Sequence, residues 1–97
     1  MEKQIDINKV ITASRTLKVL AHPIRIKIVE YLEEGEKNVG AIQDYIGLEQ
    51  AVTSQHLKLM FTKGLLKRRR EGNFIYYSIH NEILEGILHC IRDCKNP

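Results

Sequence analysis

Apolar residues recur at intervals of three and four through the first part of the chain, which is the period of amphipathic helices. The first such stripe predicts a helix from about Asp6 to Ala21. Its members are Ile7, Val10, Ile11, Ser14, Leu17 and Leu20. Pro23 is well tolerated in the first turn of a helix and Gly35 is a stop signal, so we predict a second helix from Pro23 to about Glu34.

Two shorter helices joined by a tight turn are predicted next. Asn38 is a good helix-capping residue and predicts a third helix from Val39 to about Ile46, which Gly47 ends in a left-handed conformation. A fourth helix is expected from Gln50 to about Lys63. The residues expected to be buried on it are Val52, Leu57, Met60 and Phe61. Residues 38–63 therefore resemble a helix-turn-helix.

The period then changes from helical toward the alternation of β-strands. Leu66–Arg70 and Phe74–Ile79 are predicted to pair as a hairpin whose turn contains Gly72. A closing helix is expected from about Asn81 to Asp93. The predicted fold class is mainly α with a small β-hairpin, in the order α-α-α-α-β-β-α. This order describes one winged helix-turn-helix domain over residues 1–97, with its wing at about residues 66–79.

Basic charge is concentrated in the second half of the chain. The net charge is +3, but the segment from Gln50 to His80 contains six basic residues and one acidic residue. Such a concentration beside a helix-turn-helix is expected where one face of a protein meets double-stranded DNA. An ordinary solvated surface run is the alternative interpretation. A hydrophobic content of 43% excludes a disordered chain.

Other classes of function are disfavoured by what the sequence does not contain. Its N-terminus is polar, and no apolar run approaches the ~20 residues of a membrane span. We therefore expect a cytoplasmic protein without a membrane partner, in which Cys90 and Cys94 are thiols. No Gly-rich phosphate loop or nucleophile motif is present. Cys90 with His89 as base is a poor catalytic pair, because adjacent helical residues point about 100° apart, and we expect no enzyme.

Polar side chains of the fourth helix and cations of the wing are the candidates for DNA contact. Gln, Ser and Thr suit base edges, whereas Lys and Arg suit phosphates. The candidates are Gln50, Thr53, Ser54, Gln55, His56, Lys58, Lys63, Arg68, Arg70 and Asn73. Thr53 and Ser54 could instead bond to the backbone, and His56 could instead pack against the second helix.

The wing residues are expected to divide between two faces of the ribbon. Arg68 and Arg70 share one strand face, and Arg69 points the other way. Arg70 and Asn73 are nearest the turn and are best placed for the minor groove or its phosphates. Tyr76 and Tyr77 could stack on bases, but beside Phe74 and Ile75 we interpret them as packing residues of the ribbon.

The last helix is predicted to contribute to a dimer interface. Ile83, Ile87, Cys90 and Cys94 are spaced like the seam of a helix–helix contact, and we expect a dimer through the first and last helices. Leu84, Leu88 and Ile91 form a neighbouring stripe that is expected to face the domain's own core. The cysteines could be simple packing residues. With His89 nearby, the four thiols of a dimer could instead bind a soft metal or metalloid ion, or be oxidised.

Three stretches of the chain resemble the ArsR family of small winged-helix repressors. They are Leu20–Ile28, Gln50–Leu59 with the following Lys63–Leu66, and Arg69–Tyr77. Ser-x-His-Leu, then Gly-Leu, then Arg-x-Gly-x-x-x-Tyr-Tyr is specific when found in this order. The resemblance implies a homodimer whose recognition helices enter successive major grooves of a palindromic operator. It also implies repression that is relieved by a metal ion, a metalloid or a thiol-reactive signal.

The sensor sites of that family are not matched in this chain. Asn38 and Gly40 stand where the family's Cys-x-Cys site lies, and Glu30 stands near a cysteine of the persulfide-sensing members. A second sensor site of the family binds zinc, and near the positions of its ligands this chain has Asn81, Ile83, Cys94 and Pro97. The resemblance therefore transfers the DNA-binding half more fully than the sensing half. A regulator without small-molecule sensing and a winged-helix protein-interaction module remain as alternatives.

Overall fold

Five helices surround a small antiparallel sheet in the computed structural model, which describes residues 3–94. The elements are α1 (Ile7–Leu20), α2 (Pro23–Leu32), β1 (Lys37–Asn38), α3 (Val39–Ile46), α4 (Gln50–Thr62), β2 (Leu66–Glu71), β3 (Phe74–Ile79) and α5 (Ile83–Arg92). This order confirms the predicted winged helix-turn-helix. Within the described residues, no helix has the length and apolar character needed to cross a membrane.

The helix boundaries follow from local capping groups. His22 precedes α2, and its Nδ1 atom accepts a hydrogen bond of 3.1 Å from the backbone N–H of Ile24. Asn38 precedes α3, and its Oδ1 atom accepts one of 2.8 Å from the N–H of Ala41. Gly47 ends α3 at φ +80°, a left-handed conformation that favours glycine. Asn38 and Gly47 thus have the roles predicted for them.

The sheet contains a short strand that the sequence pattern does not reveal. In the sheet, β3 lies between β1 and β2, and all pairs are antiparallel. Lys37 pairs with Tyr77 and Asn38 with Tyr76, so β1 ties the chain just before α3 to the wing. This pairing fixes the wing relative to the helix-turn-helix, because α3 begins directly after β1.

The core lies between α2, α3, α4, the sheet and the inner face of α5. Its buried apolar residues are Leu20, Ile28, Val29, Leu32, Ile42, Leu57, Met60, Leu65, Leu66, Tyr77, Leu84 and Leu88. Leu57 and Met60 are buried on α4 as predicted, while Val52 and Phe61 are half-buried. Tyr77 confirms the interpretation of the second wing tyrosine as a packing residue.

The last helix differs from the prediction at both of its ends. It begins at Ile83 rather than near Asn81, whose Oδ1 atom accepts a hydrogen bond of 3.0 Å from the N–H of Ile83. The Asn81 amide also donates to Thr16 Oγ1 of α1 at 3.3 Å. The expectation that Ile91 faces the core is wrong, because its side chain is 46% exposed. The last turn of α5 lies beyond the core, where Arg92 forms a surface ion pair with Glu33.

Candidate nucleic-acid interface

One exposed side of α4 carries most of the predicted base-contacting residues. Gln50, Ser54 and Lys58 follow one another at four-residue spacing and therefore share a face of the helix. Gln55 is adjacent to that face. Gln50, Gln55 and Lys58 are exposed and Ser54 is half-buried, while the opposite side of α4 packs into the core. These four side chains are available to a ligand, and their contact with bases or phosphates stays a prediction.

Thr53 does not belong to this exposed face, which corrects the prediction that it contacts DNA. Its side chain is fully buried at 0% exposure. It lies four residues before Leu57 and seven before Met60, so helical geometry puts it on the same buried face. Within the described part of the chain, the Thr53 hydroxyl has no hydrogen-bond partner. It therefore contributes a buried polar atom to the core and no group to the surface.

His56 contacts α2, which was the alternative interpretation of this residue. Its Nδ1 atom accepts a hydrogen bond of 3.1 Å from Arg25 Nε. Its ring meets the ring of His22 edge-on, with centroids 4.7 Å apart. Arg25 in turn donates to the carbonyl of Val19 at 3.0 Å. These contacts hold α4 against the start of α2 and favour a positioning role for His56.

The surroundings of His56 disfavour its protonated form. Burial lowers the pKa of its imidazole below the usual 6.5, and the charges of His22 and Arg25 lower it further. An acceptor at Nδ1 also requires that this atom carry no proton. His56 is therefore neutral at pH 7, and it does not add to the cationic surface.

Arg68 and Arg70 lie on the face of the wing that carries Tyr77, as the alternation predicted. The Arg68 guanidinium carbon lies 4.0 Å above the centroid of the Phe61 ring, and Arg68 donates to the Tyr77 hydroxyl at 3.4 Å. Arg70 donates from Nε to the carbonyl of Gly72 at 3.3 Å, within the turn. Among the described residues neither arginine has an acidic partner, so both retain a cationic surface.

Arg69 points to the opposite face of the wing and is neutralised there. Its Nε atom lies 3.0 Å from both carboxylate oxygens of Glu36, and its Nη1 atom lies 2.6 Å from Glu71 Oε1. The guanidinium also lies 4.6 Å from the centroid of the Tyr76 ring. These hydrogen bonds raise the pKa of Arg69 and lower that of Glu36. Arg69 therefore braces the wing against the chain before β1, which the sequence pattern did not predict.

A cleft separates α4 from the tip of the wing. Its volume is about 340 Å³. It is lined by Val39, Gly40, Gln50, Ser54, Asn73, Phe74 and Ile75. The side chain of Phe74 is 57% exposed at the tip of the ribbon, beyond the reach of the core.

Lys63 is not brought together with the other candidates. It is the residue after α4, and a helix of 13 residues is about 20 Å long, so Lys63 lies far from Gln50. It lines a separate shallow pocket with Arg15, Lys18 and Val19. Its contact with a phosphate stays a prediction, but it would involve a different part of the duplex.

Of the predicted sensor residues, His89 and Cys90 lie on the surface of α5. Cys94 lies two residues after the end of that helix, so the predicted helical seam does not extend to it. Cys90 and Cys94 are both exposed free thiols. His89 Nε2 lies 3.2 Å from Asp93 Oδ2, and both side chains are largely exposed. Over residues 3–94 no group of three or more potential metal ligands is found within one chain. Pro97 lies outside the described residues.

Several large apolar side chains are exposed on α1, just before it and on α5, and two of them, Ile5 and Ile83, line the same groove. Leu17 is 50% exposed and Ile7 is 63% exposed, although leucine and isoleucine are usually buried. Other exposed members are Ile5, Val10, Ile11, Ile83 and Ile91. Ile87 is half-buried and packs against the core, so it is only partly available to a second molecule. We refer to the seven exposed residues as the α1–α5 surface.

Known proteins resemble this chain in sequence. The family described as "Bacterial regulatory protein, arsR family" matches residues 22–68. The transcriptional repressor PagR of Bacillus anthracis is 48% identical over 73 residues, which are 74% of this chain and 73% of PagR. A biofilm growth-associated repressor of Xylella fastidiosa is 38% identical over 63 residues, which are 65% of this chain and 55% of that protein. The match thus spans about half of the Xylella protein.

Solved structures resemble the fold over most of its length. The crystal structure of PagR superposes with a TM-score of 0.79 at 40% identity, covering 89% of this chain and 99% of PagR. The homodimeric winged helix-turn-helix DNA-binding domain of Mb0332 from Mycobacterium bovis gives a TM-score of 0.75 at 30% identity, covering 95% of this chain and 87% of that domain. These relatives are transcriptional regulators rather than enzymes. The chain belongs to the arsR family of bacterial regulatory proteins.

Proposed function

We propose that this chain is a homodimeric, sequence-specific transcriptional repressor that acts on double-stranded DNA in the cytoplasm. The proposal rests on the exposed face of α4 that carries Gln50, Ser54 and Lys58, and on the wing face that carries Arg68 and Arg70. The two faces meet at a cleft, because Ile75, the cross-strand partner of Arg70, lines it together with Gln50 and Ser54. Short polar groups and unpaired cations stand side by side there, as recognition of bases and phosphates requires. The relative PagR is a transcriptional repressor, which supports repression over activation.

The polar residues and the cations have different tasks in this proposal. Gln50, Ser54 and Gln55 reach base edges in the major groove, where Gln can pair bidentately with adenine. Lys58 contacts phosphates beside them. Arg68 and Arg70 contact the backbone or the minor groove next to the site read by α4. Each neutralised phosphate releases counterions and steepens the log–log dependence of affinity on salt by about 0.9.

We further propose that the α1–α5 surface is the dimer interface, with a second copy of this chain as its occupant. Large exposed apolar patches of this kind mark protein–protein contacts. The related Mb0332 domain is homodimeric, which supports a second copy over another partner. A two-fold dimer suits a palindromic operator, whose half-sites must lie about 34–36 Å apart for both recognition helices to enter successive major grooves.

The proposed signal acts beside this interface. Cys90 follows Ile83 and Ile87 on α5, Cys94 lies just after the end of the helix, and both thiols are exposed in the single chain. A soft metal ion, a metalloid or a thiol-reactive compound at these cysteines, with His89 as a further ligand, would alter the packing of two α5 helices. Because the spacing of the recognition helices depends on that packing, the operator affinity would fall without any change in the DNA-contacting residues.

Fluorescence anisotropy with the duplex upstream of the protein's own gene tests the repressor and its signal. Reduced, metal-free protein is compared with protein exposed to zinc, arsenite or a persulfide donor. We expect tight, salt-sensitive binding that one of these additives abolishes. Failure to bind any duplex at low salt would contradict the DNA-binding proposal and favour a protein-interaction module. Binding that none of the additives changes would contradict the sensing part alone.

A matched pair of substitutions tests the dimer. Leu17→Glu introduces a charge into the α1–α5 surface, and Lys18→Glu introduces the same residue on the polar side of the same helix. We expect sedimentation velocity to give a dimer for the wild type and Lys18→Glu, and a monomer for Leu17→Glu. A Leu17→Glu protein that remains dimeric at micromolar concentration would contradict the assignment of this surface.

A further inference from the structure

We propose that the cleft between α4 and the wing tip holds one sugar–phosphate strand of the duplex, with Phe74 packed against its deoxyribose rings. The inference rests on the proposed DNA-binding function and adds an apolar contact to it. Phe74 and Gly40 lie on two walls of the cleft, while Gln50 and Ser54 form part of the α4 side. None of the cations discussed above lines this cleft, so its contribution to affinity differs in kind from theirs.

Phe74 has no packing role that would explain an aromatic residue at its position. It is the first residue of β3, opposite Glu71, and follows the turn in which Gly72 adopts φ +62°. Its ring lies 6.5 Å from the Tyr76 ring at a tilted angle of 53°, and more than half of its surface is exposed. An exposed ring at the tip of a cationic ribbon exposes apolar area to water in the free protein. That area is buried once a strand of DNA lies in the cleft.

The fold itself does not require a glycine at position 40. It lies in the first turn of α3 with an ordinary backbone conformation and an exposed surface. A Cβ atom added there would meet only the Asn38 Oδ1 atom, at 3.4 Å. Glycine is among the poorest helix-forming residues, so alanine would suit α3 better. The absence of a side chain at Gly40 would allow a DNA strand to approach this wall of the cleft closely.

The chemistry of the cleft matches the alternation along a nucleic-acid strand. Phosphates alternate with deoxyribose rings, whose carbon-rich faces are apolar. Ser54 and Asn73 supply polar groups at the cleft, and Arg70 of β2 donates a hydrogen bond to the carbonyl of Gly72, the residue before Asn73. Phe74 and Ile75 are the apolar residues of the wing that line the cleft. Continuity with the polar face of α4 makes the same duplex that is read by Gln50 the occupant of the cleft.

The salt dependence of binding separates this apolar contact from an ionic one. Phe74→Ala should weaken operator binding about tenfold at every salt concentration and leave the log–log slope unchanged. An apolar contact neutralises no phosphate, so its loss does not change the number of counterions released on binding. Arg70→Gln is the matched wing variant and should lower the log–log slope by about 0.9 per phosphate lost. Both plots are measured by anisotropy between 50 and 300 mM KCl, values on the order of those used for such titrations.

The Gly40→Ala variant tests whether weaker operator binding could be explained by misfolding. This variant should have a raised Tm, because alanine favours the helix, and yet bind the operator more weakly than the wild type. The proposal requires both Phe74→Ala and Gly40→Ala to weaken binding, and it is overturned if either variant binds as tightly as the wild type. A wild-type protein that binds no duplex would refute the proposed function as well, so the two failures are distinguishable.

Discussion

Thr53→Val replaces the buried hydroxyl of α4 with a methyl group of nearly the same shape. In the wild type the Thr53 hydroxyl is fully buried and has no hydrogen-bond partner among the described residues. Unfolding returns that hydroxyl to water, so its burial lowers the free energy of unfolding. Valine keeps the packing against Leu57 and Met60 and removes the unsatisfied group. We therefore expect the variant to be more stable than the wild type.

The magnitude follows from the cost of an unsatisfied polar group. Leaving a buried hydroxyl without a partner costs about 1–3 kcal/mol. Thr and Val have nearly equal helix propensities, so the backbone contribution of the substitution is small. We expect the free energy of unfolding to rise by about 1–2 kcal/mol. For a domain of this size, each kcal/mol corresponds to a Tm increase of about 4–8 °C.

Urea unfolding and operator binding are measured together on the same preparations at one protein concentration, because dimerisation also affects the midpoint. Thr53→Val should raise the midpoint with an unchanged m-value and leave operator affinity within about twofold. Ser54→Ala, one residue away on the cleft wall, should weaken binding without a comparable gain in stability. A destabilised Thr53→Val protein, or one that loses tenfold in affinity, would refute the buried and unsatisfied assignment of Thr53.

Three further outcomes are expected. The pKa of His56 is lower in the folded chain than in the unfolded chain, so the unfolded chain binds more protons below pH 6.5. Tm should therefore fall from pH 7 to pH 5.5, and thermal melts of His56→Gln should show a weaker dependence on pH. Arg69→Gln should leave the salt slope of operator binding unchanged, unlike Arg70→Gln, because Arg69 is already paired. Replacing both Cys90 and Cys94 by Ser should preserve binding and abolish the inducer response in anisotropy titrations; a retained response would exclude the thiols.

Most of the fold could be predicted because its signals are local. The cap at Asn38, the left-handed Gly47 and the change of period before the wing each act within a few residues. The strand β1 could not be predicted, because two residues carry no period and their partners lie 40 and 38 residues farther along the chain. Its backbone pairing is with β3 of the wing, a contact that no local sequence signal reveals.

The candidate site was less predictable, because its contacts join distant parts of the chain. Thr53 was predicted to contact DNA because its side chain is polar. Its spacing from Leu57 and Met60, however, already indicated that it lies on the buried face of α4. The pairing of Arg25 with His56 spans 31 residues, and that of Glu36 with Arg69 spans 33. No local pattern distinguishes such partners from solvated side chains. Sequence reasoning therefore placed Thr53 on a surface to which it does not belong, and it did not predict the partners of His56 and Arg69.

The dependence of the dimer's operator affinity on salt should show how many of the basic residues contact phosphates. The six basic residues between Gln50 and His80 would give a slope of about 11 for two chains if each neutralised one phosphate. In the structure Arg69 is paired with two carboxylates, Lys67 lies on the same outer face near Glu36, and Lys63 lies at the far end of α4. The remaining cations are Lys58, Arg68 and Arg70.

Three phosphates per chain predict a slope of about 5 for the dimer. The measurement is the log–log plot of operator affinity against salt, with Lys67→Gln as the control that should not change it. A further phosphate contact of Lys63 would raise the slope to about 7, and Lys63→Gln would return it to about 5. A slope near 11 would mean that the ion pairs of Arg69 open on DNA and that the wing is used on both faces. A slope near 5 would mean that Glu36 and Glu71 set the wing's effective charge, so that acidic residues outside the interface determine how strongly affinity responds to ionic strength.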